Sequence, residues 1–227
     1  MRTKILLSLL MGICQHIATA QLFGYSLQKD SAAYASLSGA TVISTGENFR
    51  SKSFMLDIPF AFNFCGAAAD SVCIEGNGFI VFDKEKGTAA VAFNNFGSNK
   101  DTAQNYTSSI LSLTAGTSGN RILKLEFRSV SQNVLSINDY LSYQVWLYEN
   151  GNKVEFHTGT NSYAVQPSDV QILLGLINKN MDTENKAYLI SGDPAAPTGQ
   201  VISGEAGLVY LNTVPSEGTV ITLTPTF

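Results

Sequence analysis

Five side chains between residues 144 and 157 have the types and spacing of a ligand-binding face: Gln144, Trp146, Tyr148, Glu155 and His157. Two β-rich runs, Tyr140 to Tyr148 and Lys153 to Thr158, flank Glu149-Asn150-Gly151-Asn152. Asn-Gly between such runs marks a hairpin, because both residues tolerate positive φ. With Asn150-Gly151 as the turn, Leu147 faces Val154 and Val145 faces Phe156, which makes one face apolar. The other face then sets Gln144, Trp146 and Tyr148 opposite His157, Glu155 and Lys153. Such a face suits a sugar, whose C–H side stacks on an aromatic plane while amide and carboxylate groups bond its hydroxyls. The plainer alternative is a sheet covered by a loop, with Trp146 half-buried and Lys153 and Glu155 paired across strands.

Other chemistries find less support. Glycoside hydrolysis needs two carboxyl groups about 5–10 Å apart. Glu126 and Glu155 can share a face, but Lys124, Arg128 and Lys153 beside them fit a solvated, salt-bridged surface equally well. No E-x-D-x-x-E pattern of the laminarinase type occurs. Past residue 20 the chain has one histidine, His157, no G-x-S-x-G and no glycine-rich phosphate loop, so a catalytic triad lacks parts. Asn178, Asn180, Asp182 and Glu184 alternate as calcium ligands do. An EF-hand loop would require glycine where Thr183 stands and glutamate where Leu189 stands. A polar hairpin loop is the simpler reading there, and the same holds for the loop from Asn94 to Asn105 with its Asp101. No cofactor is expected, and calcium is the one ion the pattern raises.

The compartment follows from the first twenty residues. Arg2 and Lys4 precede an apolar run from Ile5 to Ile17, which ends in Ala18-Thr19-Ala20. This is the pattern of a secretory signal peptide cleaved after Ala20, over residues 1–20. Cys14 raises lipidation as an alternative, but the bulky Ile13 before it departs from a lipobox. The predicted location is therefore extracellular, cell-surface or periplasmic. In such a compartment Cys65 and Cys73 are expected to form a disulfide, with two free thiols on neighbouring strands as the alternative.

Composition narrows the class. Losing Arg2 and Lys4 with the leader takes the formal charge from −4 to −6, which disfavours a nucleic-acid partner. Charged residues make up 14 % and hydrophobic residues 44 %, enough apolar matter for a packed core. No later apolar stretch reaches membrane-spanning length, so no transmembrane segment is expected in the mature chain.

The elements that must position these residues read as strands throughout. Leu56, Ile58, Phe60, Phe62 and Phe64 alternate, with Pro59 on the opposite parity predicting an edge strand or a bulge. Val72 to Phe82 is a second run, interrupted by Gly76-Asn77-Gly78, a bulge or tight bend. Arg121 to Arg128, Val170 to Ile177, Ala187 to Ser191, Leu208 to Leu211 and Thr219 to Thr224 complete the set. Roughly ten strands without substantial helix predict one all-β domain over residues 21–227, an antiparallel, jelly-roll-like β-sandwich.

The order of four motifs resembles a group of secreted β-sandwich domains in Bacteroidetes surface and exported proteins. They are Ile58-Pro59-Phe60-Ala61-Phe62-Asn63-Phe64, Asn77-Gly78-Phe79-Ile80-Val81-Phe82, Leu147-Tyr148-Glu149-Asn150-Gly151 and Val154-Glu155-Phe156. The likeness covers most of residues 25 to 195, and its motifs are structural rather than catalytic. Many members of that group carry a C-terminal sorting domain for type IX secretion, which this chain, ending at Phe227, does not display. Members also often have an acidic Trp-Asp-Asp-like segment, where this chain reads Phe93-Asn94-Asn95-Phe96. The same resemblance implies O-glycosylation of Ser31, Ser71 and Thr102, each following an aspartate and preceding Ala or Val. The combined expectation is a non-enzymatic module that binds a glycan or a surface protein. A structural or adhesion subunit assembling through strand edges is the alternative, and a glycoside hydrolase comes third.

Overall fold

The computed structural model describes residues 24–46, 49, 51–83, 88–93, 97–98, 100–101, 106–131, 140–162, 172–178, 186–203 and 207–226. Among them every regular element is a strand, and two antiparallel sheets face one another. One sheet runs β1 (Tyr25–Ser31), β17 (Thr219–Pro225), β13 (Val154–Asn161), β12 (Leu141–Tyr148), β11 (Ile122–Ser131), β10 (Ser109–Ala115), β2 (Thr41–Thr45). The short β7 (Gly97–Ser98) joins it against β11. The other runs β16 (Thr198–Ser203), β15 (Lys186–Ser191), β14 (Leu174–Asn178), β6 (Thr88–Ala92), β5 (Phe79–Asp83), β4 (Ala67–Glu75), β3 (Ser53–Phe64). A separate pair, β8 (Lys100–Asp101) and β9 (Tyr106–Thr107), stands apart. The expected antiparallel sandwich is therefore present, with seven strands along each main path instead of roughly ten in all. The chain changes sheet in blocks of sequential hairpins, β3 to β6 in one and β10 to β13 in the other.

Alternation explains which faces meet. In β3, Ile58, Phe60, Phe62 and Phe64 are buried while the residues between them are exposed. Across the interface Phe127, Tyr143, Val145, Leu147 and Phe156 come from the facing sheet. Phe64 stacks on Phe82 at 3.9 Å, and Tyr143 packs against Phe127 at 4.7 Å and Phe93 at 4.9 Å. Each fully buried side chain of this kind contributes about 1.5–3 kcal/mol. A smaller apolar cluster, centred on Val91, Leu173 and Leu189, lies on the outer side of the seven-stranded sheet. Val209 and Tyr210 pack against it.

Pro59 fulfils both of its expected roles, since β3 is an edge strand and its pairing with β4 shifts register between Asp57 and Phe62. Gly76-Asn77-Gly78 is the bend between β4 and β5, with Gly78 at φ 95°. One expected strand is absent. Leu208 to Leu211 is irregular, and only Leu211 forms isolated bridges, to Ile172 and Gly192. That segment lies over the sheet and contributes side chains rather than a ladder.

The expected disulfide does not exist: Cys65 and Cys73 are both buried free thiols. Phe64 pairs with Ala67, so Cys65-Gly66 is the two-residue tip of the β3–β4 hairpin, with φ of 50° and 81°. Cys73 lies six residues past Ala67 along β4, roughly 20 Å from the tip at strand rise. A bridge needs Cα atoms within about 7 Å. Cys65 is not on a strand at all, which also corrects the neighbouring-strand alternative. Its backbone N–H donates to the Tyr25 hydroxyl at 3.2 Å. Burial pushes the Cys65 thiol up to about 12.

Candidate functional site

The β12–β13 hairpin has the register expected from its sequence. Leu147 pairs with Val154, Val145 with Phe156, Trp146 with Glu155 and Gln144 with His157. The turn differs in detail: positive φ falls on Gly151 and Asn152, not on Asn150 and Gly151. The polar face that results looks outward from the eight-stranded sheet. On its β11 side Lys124 pairs with Trp146 and Glu126 with Gln144.

Trp146 sits at the centre, half-buried, and its ring is not a bare platform. The Lys124 ammonium lies 3.5 Å from its centroid, and the His157 ring stacks at 3.9 Å. They come from the strands on either side, and two groups so close to one centroid must occupy opposite faces. The indole N–H donates to Gln144 Oε1 at 2.8 Å. Tyr148 repeats the motif, with the Lys153 ammonium 3.9 Å above its ring. A sugar therefore meets a ring edge and two ammonium groups first, and stacking would require Lys124 to swing away.

Glu155 anchors the face. Its carboxylate accepts from the Tyr148 hydroxyl, from Lys153 Nζ at 2.7 Å, and from Thr222 Oγ1 at 3.4 Å. It also lies 2.9 Å from His157 Nε2. Burial pushes its pKa up, but the bonds from His157, Lys153 and Tyr148 outweigh burial and hold it at about 2. Burial, followed by the Glu155 bond and charge, raises the Tyr148 phenol. Lys124 is lowered by burial, against the opposing pull of Glu155. The anticipated Lys153–Glu155 pair is thus real, although it runs along one strand rather than across two.

Residues 32–40, between β1 and β2, cross the other half of the face as a strap. The Tyr34 hydroxyl donates to Glu126 Oε1 at 2.7 Å and the Leu37 N–H to Glu126 Oε2 at 3.0 Å. Arg128 Nη2 reaches the same Oε2 at 2.7 Å, which neutralises a carboxylate with no solvent exposure. Gln144 Nε2 donates to the Ala35 carbonyl at 2.8 Å. Gly159 makes room for the strap, since a Cβ there would lie 2.4 Å from the Tyr34 ring. The five expected residues are therefore brought together, with Gln144 closed beneath the strap and Trp146, Tyr148 and His157 at its open end. Sequence reasoning missed Tyr34 and the strap, because an uncharged run of Ala, Ser and Gly carries no periodic signal.

The remaining expected sites separate from this face. Ser31 ends β1 and is exposed. Ser71 lies inside β4 rather than beside a loop, and its hydroxyl donates to Asp70 Oδ1 at 3.0 Å. Thr102 lies outside the described residues, as do Asn180, Asp182, Glu184 and the leader. Asn178 ends β14, and its backbone alone is described. Among the described residues no three His, Cys, Asp or Glu side chains gather as a metal site, and no helix is long and apolar enough to cross a membrane.

The sequence motifs fasten the sandwich at one end. Glu149 takes Arg121 through two side-chain bonds, Nε at 3.0 Å and Nη2 at 2.7 Å, and accepts its backbone N–H at 2.9 Å. Those bonds hold the Glu149 carboxyl at about 2. Arg121 also donates to the Pro59 carbonyl and lies over Phe60, which ties the two sheets together. Asn152 accepts the Asn63 N–H at 2.9 Å. The fold and its outer face thus define an antiparallel β-sandwich whose motif residues clamp one sheet to the other. The chain belongs to the NIDO-related family, whose model matches residues 24–225. No curated protein and no solved structure matches the chain.

Proposed function

We propose that the chain is an exported, non-enzymatic NIDO-related module that binds a glycan or a surface protein at the open half of the Trp146 face. The observation that carries this reading is the pair of half-buried aromatics, Trp146 and Tyr148, each under a lysine ammonium beyond the strap. Aromatic surface combined with cationic donors is the composition of recognition surfaces. The non-enzymatic part rests on the carboxyl groups. Glu126 is sealed by Tyr34, Leu37 and Arg128, and Glu155 is occupied by four partners, so neither is free to carry a proton to a substrate. Export rests on the leader, and intact mass of secreted protein should show a chain starting at Gln21. A glycan array and a surface-extract pull-down with the mature protein test the binding reading. Lys124→Ala and Trp146→Ala should each weaken capture at least about tenfold, and equal capture by all three proteins would reject this face.

A second reading, a structural or adhesion subunit assembling through strand edges, is favoured by the exposed apolar residues. Val42, Met55 and Val201 are 55 %, 68 % and 52 % exposed, and each lies on an edge strand: β2, β3 and β16.

A further inference from the structure

The sandwich has four edges, and three of them carry devices that discourage further pairing. Charged side chains, proline and bulges are the usual means of protecting a strand whose outer N–H and C=O groups are unpaired. Edge strand β1 carries Lys29 and Asp30. Edge strand β3 carries Asp57, Pro59 and an irregular register. Edge strand β2 is five residues long, with a register shift against β10. The fourth edge, β16, has none of these. Thr198–Ser203 contains no charge and no proline, and its pairing with β15 runs without a shift from Ser191↔Thr198 to Lys186↔Ser203. Between Asp193 and Glu205 the chain has no charged residue at all. Among the described residues no strand pairs with the outer side of β16.

We infer that β16 is where two copies of this chain join, each adding the other as the next strand of its seven-stranded sheet. The inference rests on the edge-assembly reading and adds the strand, the partner and the register. Charge selects the partner. Two copies of a net-acidic chain repel, so contact is favoured where neither surface bears charge, and a charged partner would find nothing on β16 to pair with. Symmetry selects the register. A two-fold axis normal to the sheet allows only antiparallel registers that set residues of the same face opposite one another, and of these the register centred on Val201 covers the most exposed apolar side chain of β16. There Val201 meets Val201, covering the side chain left half-exposed in the single copy. It lies beside the Tyr188 ring, which already fills the space at Gly199. Gln200 then faces Ile202 of the other copy, and no like charges meet.

The experiment is sedimentation velocity on the mature chain up to about 100 μM, a range that detects weak dimers. Wild type should dimerise. Val201→Lys should weaken the dimer at least about tenfold while leaving the thermal melt of dilute, monomeric protein unchanged, because the side chain is exposed in the monomer. Met55→Lys, on a protected edge, should leave the dimer intact. A wild type that is monomeric throughout overturns both the β16 interface and the edge-assembly reading. A dimer that survives Val201→Lys but dissolves on Met55→Lys or Val42→Lys overturns β16 alone.

Discussion

Trp146 shows how one residue can be packed on both ring faces and still be partly exposed. Its ring is packed between Lys124 and His157 and its N–H is satisfied by Gln144, yet the residue stays only half-buried. Trp146→Ala should therefore lower stability by about 2 kcal/mol in a thermal or urea melt, less than the 3–5 kcal/mol of a fully buried large aromatic. Glu126 is the opposite case, a sealed carboxylate whose charge is matched by Arg128 and bonded by the strap. Tyr34→Phe removes one bond to that charge and should cost about 1.5–3 kcal/mol. Glu126→Leu takes the acceptor from the Tyr34 hydroxyl and the Leu37 N–H as well as the partner from the one-third-exposed Arg128, and should cost about 3–5 kcal/mol. The two thiols give a direct check of the corrected bridge. Ellman titration should find both Cys65 and Cys73 reduced once the protein is denatured, and reducing agent should leave the melting temperature where it was.

At the scale of elements, the hairpins divide by the chemistry of their turns. Asn150-Gly151 announces β12–β13, and the alternation of apolar residues on both strands then fixes the register. The tip Cys65-Gly66 has the same left-handed backbone but presents a cysteine where asparagine or aspartate is usual, so the eight-residue spacing to Cys73 suggests proximity where the hairpin enforces separation. Gly66→Ala at φ 81° should cost about 1 kcal/mol, since only glycine adopts that conformation without strain. Strands β3, β11, β12 and β13 were legible because apolar and polar residues alternate along each of them in the sequence. Strands β1, β2 and β16 were not, being edge strands of mostly polar or small residues whose burial is too slight to impose an alternation. The site was legible as a set of neighbours across one hairpin. Its closure was not, because the strap approaches from about ninety residues away in sequence.

For the whole molecule, acid is the condition that tests how the carboxylates are held. Glu155 and Glu149 both titrate at about 2 in the folded chain, below the 4.5 of an unperturbed glutamate. A folded value below the unfolded one means stability that is complete above about pH 4.5 and lost as pH falls toward 2. Urea midpoints measured from pH 6 to pH 2 should decline in that window, and Glu155→Gln should flatten part of the decline. The first and last strands hold a different kind of weakness. Tyr25 pairs with Pro225 and Ser31 with Thr219, so the two ends of the described fold leave the sheet side by side. The hydrogen bonds of an antiparallel pair lie across the strands. Tension applied between those two ends pulls along the bonds and loads them singly, beginning at the outermost rung. Under load this sandwich opens as a zip rather than resisting as a lap joint, and β1 peels away before the core is strained.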